Sequence, residues 1–463
     1  MIFKIQRKYM LYFFLLIILL SAGGYACYKY YYLNSQTINV RDFGAKGDGI
    51  QDDTGAIQKA LAAVTSIRRT VYFPSGTYII DPNKNVTVHS NTQLIGDGAG
   101  SIVKANHAPF GWSLLYLSGK NITVNKINLD GNHAVNRVLV VKPGSSYVQI
   151  SNVLVANASQ SNDSSNDSYS TVVAGIIVYG NTDSIRIDHT EVRNMVALHP
   201  LDGSLIARGI YITSTPGSVE KASANLTITN SKIHDIGPAD DGDGIYYEDP
   251  GLDNNIVQNT NSTITNNTFY NCAKRAIKLY ANGIVVTGNH IINDYLNNNY
   301  YQGKDKGKLA PDMYAAISIY GNNIKASNNT IDGKGSFYSA IEISSSKTVK
   351  SIEVSANKVT MGPQSNQKGT AGIRMGNIED FTITSNTLEN GERGIWSWQN
   401  ASRGTVSDNQ ILMPNGGGID FTTYVENQKQ LNILCVDNTI QAKAFTIQID
   451  KNNSTIQLER PAT

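Results

Sequence analysis

The sequence has little with which to cross-link itself and little charge. Its 463 residues hold three cysteines, with no Cys-x-x-Cys and no closely spaced Cys/His pair. That excludes a disulfide framework and a structural zinc site, and Cys272 and Cys435 read as buried, free, apolar side chains. Charged residues make up only 16%, and 39 Lys+Arg against 37 Asp+Glu leave a formal charge of +2. A balance so close offers no basic surface for nucleic acid. With 41% apolar residues the chain is also too hydrophobic for disorder. Long apolar runs are absent apart from one at the N-terminus. What is present is Tyr (25, against 11 Phe and 3 Trp), together with abundant Asn and Gly. Tyr, Thr and Val favour strands while Asn and Gly favour turns, so an all-helical fold is excluded. The length supports a large core, in one extended domain or in two or three ordinary ones.

The exceptional apolar run extends from Tyr9 to Tyr28 behind Lys4, Arg7 and Lys8. It is long enough to cross a bilayer as a helix, and the preceding basic residues favour an N-inside orientation. Tyr28, Tyr30, Tyr31 and Tyr32 stand where an aromatic belt is expected. Residues 1–35 are therefore read as a single-pass membrane anchor. The alternatives are a cleaved signal, given the small residues around Ala22–Ala26, and a lipoprotein signal at Cys27, against which the bulky Tyr25 stands. All three place the remaining chain outside the cytoplasm.

A repeat organises that remainder. A small residue followed by Ile recurs at Gly175-Ile176, Gly209-Ile210, Gly244-Ile245, Ala276-Ile277, Ala316-Ile317, Ala340-Ile341, Gly372-Ile373, Gly394-Ile395 and Gly418-Ile419. Between these lies an Asn two positions before an apolar residue, at Asn267, Asn289, Asn329, Asn357, Asn386, Asn409 and Asn438. Short strands at an irregular period, with insertions and no helical pattern, predict an all-β, single-stranded parallel β-helix over residues 36–455, with 456–463 as a tail. A propeller would repeat more evenly. The Asn residues are expected at one bend, bonding the next coil and tolerating a left-handed backbone. Cys272 and Cys435 then lie five to six coils apart, roughly 25 Å at 4.8 Å per coil, beyond reach of a disulfide.

The segment from Ile38 to Gly49, followed by Asp52-Asp53-Thr54, Val71-Tyr72-Phe73-Pro74-Ser75-Gly76-Thr77-Tyr78 and Leu129-Asp130-Gly131-Asn132, resembles the pectate-lyase-like superfamily. That superfamily includes polygalacturonase-related hydrolases and mannuronan C5-epimerases. The resemblance implies a right-handed parallel β-helix acting on polysaccharide. Asp53 or Thr54 is expected to cap a short helix near 55–64 whose Ile57, Ala60, Leu61 and Val64 cover the N-terminal end of the stack.

Strand alternation places outward residues in two ladders along one face. One runs Ile177, Tyr211, Tyr246, Lys278, Ser318, Glu342, Arg374, Trp396, Asp420; the other Tyr179, Thr213, Glu248, Tyr280, Tyr320, Ser344, Gly376, Trp398, Thr422. Arg208, Asp243, Arg275 and Arg393 precede the small residue, where the chain bends and their direction is open. The expected catalytic group is Tyr246, Lys278, Arg275, Arg208, Asp249, Asp243 and Glu248. Tyr211, Tyr280, Tyr320, Glu342, Arg374, Trp396 and Trp398 are expected to bind substrate. Insertions at 157–170, 195–207, 214–224, 235–243 and 293–314 would wall the groove, with Tyr295, Tyr300, Tyr301 and Tyr314 as sugar platforms.

Three chemistries remain open. Abstraction of the C5 proton of a uronate needs a carboxylate neutraliser, a base and an acid, and Tyr246 or Lys278 with a cation-lowered pKa would serve as base. Tyr246-Tyr247-Glu248-Asp249-Pro250 is similar to the Tyr-x-x-Asp-Pro motif of mannuronan epimerases, but Gly251 stands where those enzymes have His; His199 or His234 would have to enter from elsewhere. The coil from Asn271 to Asn289 resembles that of β-helix lyases, with Lys278 at their Arg position. Hydrolysis needs two carboxyls about 5 to 9.5 Å apart, whereas Asp243 and Glu248 are roughly 16 Å apart if extended; Asp240 and Asp241 are alternatives. A non-catalytic polysaccharide-binding scaffold is the third reading. No cofactor is required, although Asp240, Asp241, Asp243 and Asp249 present a Ca²⁺ option. The expected partner is an acidic polysaccharide exported by the cell.

Overall fold

In a computed structural model, described here for Ser21, Gly24 and residues 37–458 except 68, 252–257, 294–312, 334–336, 345, 363–369 and 425, the chain is a stack of coils. Apart from Ser21 and Gly24 the expected membrane span lies outside the described residues, as do Cys27, Tyr295, Tyr300, Tyr301 and residues 459–463; the strand Ser454–Gln457 crosses the expected start of the tail at 456. Among the described residues no helix is long and apolar enough to cross a membrane. Three parallel sheets of 15, 14 and 13 strands run the length of the stack, and each strand pairs with the equivalent strands of the coils above and below. The 13-stranded sheet, from Thr87–His89 to Ile447–Ile449, carries the expected ladders.

The repeated Ile residues form one pile inside the stack: Ile176, Ile210, Ile245, Ile277, Ile317, Ile341, Ile373, Ile395 and Ile419 are register partners in succession and are fully buried. The small residue before each Ile also points inward. A Cβ on Gly244 would sit 2.6 Å from the Ala276 carbonyl oxygen and 2.9 Å from the Phe269 ring. Two successive inward residues bend the strand and shift its alternation. Residues 243, 246 and 248 therefore share the outer face.

The Asn spine has a clear physical basis. Each side chain accepts from the preceding ladder Asn in the stack and donates to the following one. Asn357 Oδ1 receives both the backbone N–H and the amide of Asn329, while its own amide reaches Ala326 O and Asn386 Oδ1, all at 2.9–3.0 Å. Contrary to expectation, the left-handed backbone belongs to the residue before the ladder Asn: Asn266, Asn328, Ala356, Ser385, Asp408 and Asp437 have φ between 53° and 58°. The ladder Asn is freed from the turn and spends its side chain on the stack.

At the N-terminal end the α-helix Thr54–Ala62 buries Ile57 and Ala60 and packs Leu61 and Val64 against the core. Its cap differs from expectation. Asp53 turns away from the helix and accepts from Lys46 N (2.6 Å) and Gly47 N (3.0 Å), fixing the preceding loop. Asp52 takes the helix-starting role, accepting from Thr54 N at 2.9 Å. Neither carboxylate lies on the candidate face.

Cys272 and Cys435 are both buried and free. Burial raises both thiols, Cys435 to about 12. Native protein is therefore expected to leave these two thiols unmodified by a thiol reagent at pH 8, and to titrate both once denatured; rapid reaction in the native state would contradict their burial.

Candidate active site

The first ladder holds in full: Ile177, Tyr211, Tyr246, Lys278, Ser318, Glu342, Arg374, Trp396 and Asp420 are consecutive register partners. The directions left open by the sequence are now settled. Arg208, Asp243 and Arg275 are also register partners and form a third outward ladder beside the first.

These three residues and Asp241 make one ionic network. Asp243 is fully buried, with Oδ2 3.1 Å from Arg208 Nη1 and Oδ1 3.5 Å from Arg275 Nη1. Asp241, placed at the start of the same strand, contacts Arg208 Nη2 (2.5 Å), Lys274 Nζ (3.2 Å), Arg275 Nη1 (3.2 Å) and Lys278 Nζ (3.9 Å). Burial alone would raise its carboxyl, but Arg208, Lys278, Lys274 and Arg275 together hold it far below the usual carboxylate range. Four cations thus converge on Asp241 and Asp243, with Glu342 acting on Arg275 and Asp240 near Lys274.

Lys278 extends over the ring of Tyr246, its Nζ 4.1 Å from the centroid. Burial lowers its pKa, Arg208 and Arg275 add to the lowering, and Asp243 and Asp241 oppose it. Tyr246 behaves oppositely to expectation. Burial first, then Glu248 and Tyr211, raise its hydroxyl above the usual value despite the nearby cations. Its Oη–H donates to Glu248 Oε1 at 3.1 Å. Tyr246 therefore stays protonated at neutral pH and is a proton donor; the base-like group of the pair is Lys278. Tyr211 stacks on Tyr246 (centroids 5.4 Å apart, 14° between planes), and with Thr213 donates to Glu248 Oε2, both at 2.7 Å. Three hydroxyls converging on one carboxylate fix Glu248 as an acceptor.

A second polar group follows along the groove. Glu342 accepts from Tyr314 (3.1 Å), Ser318 (2.9 Å) and Tyr320 (2.7 Å), and Ser318 in turn accepts from Arg275 Nε at 3.0 Å. Further on, Arg374 lies between the rings of Tyr338 (4.4 Å) and Trp398 (4.1 Å). Trp396, expected to bind substrate, is 7% exposed, covered by Arg374 and Arg393, and its Nε1–H bonds Thr422 O. Trp398 is only partly buried and Tyr424, beside it, is 75% exposed. Tyr280 and Tyr320 adjoin on the second ladder, with centroids 6.2 Å apart.

Several candidates fall outside this group. Asp249 is buried and bonds Gly251 N in its own turn, and burial raises its carboxyl. His234 is on the 14-stranded sheet between Glu191, Asp235 and the ring of Tyr270. His199 stacks on Tyr169 at 3.8 Å. Neither His supplies what Gly251 lacks. Asp241 and Asp243 are engaged by Arg208 and Arg275, and Asp249 by its own turn. Among the described residues no three acidic, His or Cys side chains are grouped to hold a metal.

Two of the insertions, 157–170 and 195–207, are fastened to each other, while 294–312 lies outside the described residues. Gln160 donates to Thr171 O and His199 O and accepts from Leu198 N and His199 N, at 2.6–2.9 Å, which fastens the loop after 158 to the loop before 206. The strand alternation gave no access to Asp241 and Lys274, since both sit outside the Gly-Ile frame at strand beginnings; their nearness to arginines one coil away was the missing signal.

With this geometry in view, residues 37–305 match a family described as rhamnogalacturonase A/epimerase, pectate lyase-like. The chain is similar to the mannuronan C5-epimerase AlgE2 of Azotobacter vinelandii, 44% identical over 71 residues, which are 14% of this chain and 7% of that protein. The chain thus matches less than a tenth of that relative's length. Among solved structures it is similar to the surface adhesin PfbA of Streptococcus pneumoniae (19% identity, 85% of this chain and 93% of that one, TM-score 0.60). It is also similar to the catalytic unit of a GH87 α-1,3-glucanase from Streptomyces thermodiastaticus (15% identity, 90% and 69%, TM-score 0.55). Three continuous parallel sheets and a family match over more than half of the chain agree: the protein belongs to the rhamnogalacturonase A/epimerase family of pectate-lyase-like β-helices.

Proposed function

We propose that this protein is an enzyme acting on a uronate-containing polysaccharide by removing the C5 proton. The observation that carries the reading is Lys278: a lysine depressed by burial, over a protonated tyrosine, between two arginines. The Arg208–Arg275–Lys274 group would hold the uronate carboxylate and lower the barrier to removing the C5 proton. The Lys278 amine would take the C5 proton. The new ammonium would then sit above the Tyr246 ring and lower the cost of releasing the Tyr246 proton. Both groups project from the same face one coil apart, an arrangement suited to elimination. The C4–O4 bond breaks, O4 receives the Tyr246 proton, and a C4–C5 double bond forms on the fragment that keeps the carboxylate. Return of a proton to C5 from the opposite side would instead invert that centre.

The similarity to a mannuronan C5-epimerase supports uronate chemistry. The likeness to an adhesin motivates a second reading, a binding scaffold in which the ionic network only stabilises the face. Incubation with alginate, polygalacturonate and neutral glucans separates the readings. Ultraviolet absorbance with new reducing ends, or C5 proton exchange from solvent, supports proton abstraction. Reducing ends alone would point to hydrolysis, and binding without any turnover to the scaffold.

If Lys278 is the base, the rate must rise with pH as the amine loses its proton. Since burial lowers its pKa, the rising limb is expected below the 10.5 of a free lysine. A kcat profile with no limb in that direction would remove Lys278 from the role.

A further inference from the structure

Three coils before Tyr246, on the same outer face, lies an arginine that the site above does not use. Arg137 is register partner of Ser113 on one side and Ala174 on the other, and Ala174 pairs with Arg208. It is only 7% exposed. Its guanidinium lies 4.2 Å from the ring of Trp112, and among the described residues its Nε and Nη1 are enclosed with no hydrogen-bond partner and no carboxylate pairs with it. Arg208 and Arg275, buried on the same face, are matched by aspartates, whereas Arg374, also buried, is packed between the rings of Tyr338 and Trp398. An enclosed cation without a counter-ion is costly in a finished structure and signals an absent anion. The Oγ of Ser113, next to it on the ladder, is likewise enclosed and unpartnered.

The surroundings suit a sugar. Val140, Ala174 and Ile177 form a separate apolar patch on the outside of the sheet, bordered by Tyr116, Tyr179 and Tyr211. Aromatic rings around an apolar floor take the C–H faces of a pyranose. The insertion at 157–170 begins beside this strand, where Ser159 N donates to Val135 O at 2.9 Å.

We infer that Arg137, with Ser113, Trp112 and the Tyr116–Tyr179 rim, is a subsite for the carboxylate of a second acidic sugar of the same chain. It lies two coils from Arg208, about 10 Å along the groove. This rests on the reading of the groove as a uronate-binding surface and adds to it. The enzyme would select polymers with closely spaced acidic residues, since an isolated uronate in a neutral chain leaves Arg137 unpaired.

The test is calorimetric binding of pentameric oligouronates from alginate and polygalacturonate, and of their carboxyl-reduced neutral counterparts. The proteins are a Lys278→Met background, to prevent turnover, and the same background with Arg137→Met or Arg137→Lys. Thermal midpoints establish that each is folded, and Arg137→Lys, which keeps the charge, stands in if Arg137→Met is not. Loss of a charge-assisted contact is expected to weaken the acidic pentamer about 10- to 100-fold in Arg137→Met and less in Arg137→Lys, with the weak binding of the neutral one unchanged. Equal affinity with and without Arg137, equal loss for charged and neutral ligands, or no binding of either pentamer would overturn the subsite. If Arg137 proves irrelevant while wild type exchanges the C5 proton, the reaction stands without the subsite. If binding depends on Arg137 but wild type neither exchanges nor cleaves, the subsite stands without the reaction.

Discussion

Replacing Lys278 with Met is expected to lower kcat by about 10³- to 10⁴-fold on the cognate polymer, while affinity changes far less. The methionine keeps the length of the stem over Tyr246 but has no amine to take a proton. The ionic network centred on Asp241 and Asp243 retains Arg208, Arg275 and Lys274, so the fold and the carboxylate-binding charge persist. Lys278→Arg is the sharper control. It preserves charge but stays protonated at any working pH, so it should be as inactive as the methionine variant if the lysine is a base. It should be largely active if the lysine only neutralises charge. Initial rates followed by ultraviolet absorbance and by solvent exchange at C5, with binding measured separately, decide the matter. A Lys278→Met protein within tenfold of wild type would end the proposed mechanism.

The second large effect concerns stability. Asn357→Ala is expected to destabilise the stack by about 3 to 5 kcal/mol, read as a lower urea midpoint. Four bonds disappear together: two received from Asn329, one given to Ala326 O and one given to Asn386. The residue is 1% exposed, so water does not replace them. Asn357→Asp supplies a signed test. An aspartate keeps the acceptor for Asn329 but aims a second oxygen at the Ala326 carbonyl and the Asn386 amide oxygen. Burial and these acceptors raise its folded-state pKa above the unfolded value, so the folded state binds more protons between the two values. Stability of Asn357→Asp should therefore fall as pH rises through that window and recover in acid, whereas Asn357→Ala should show no such recovery. Because coils contact mainly their neighbours, loss at one rung is also expected to broaden the transition. An unchanged midpoint in Asn357→Ala would mean that the spine contributes little.

The register of the candidate face was legible because one rule governs it. Once each repeated Ile points inward, pairing in a parallel stack fixes which residues are neighbours, and all nine members of the ladder from Ile177 to Asp420 were placed in order. The rule stops where alternation stops. At the Gly-Ile bend two residues point inward in succession, so the direction of Arg208, Asp243 and Arg275 could not be read from spacing. Asp241 sits before that bend and resembles any loop aspartate in sequence. Its importance comes from four cations on its own coil's neighbours. Strand alternation gave the outward position of Trp396 but not its exposure, which flanking arginines reduce.

Sequence by itself determined the coil period, the parallel stacking, the inward Ile pile, the Asn spine and the unpaired cysteines. Each depends on short-range alternation or on repetition, which a linear chain records directly. Only the tertiary structure decided the electrostatics: that burial raises the Tyr246 hydroxyl and lowers the Lys278 amine, that Asp53 braces a loop, and that among the described residues no carboxylate pairs with Arg137. A pKa depends on burial and on charges brought within a few ångströms by coils some thirty residues apart. No local pattern encodes that distance until the stack is built.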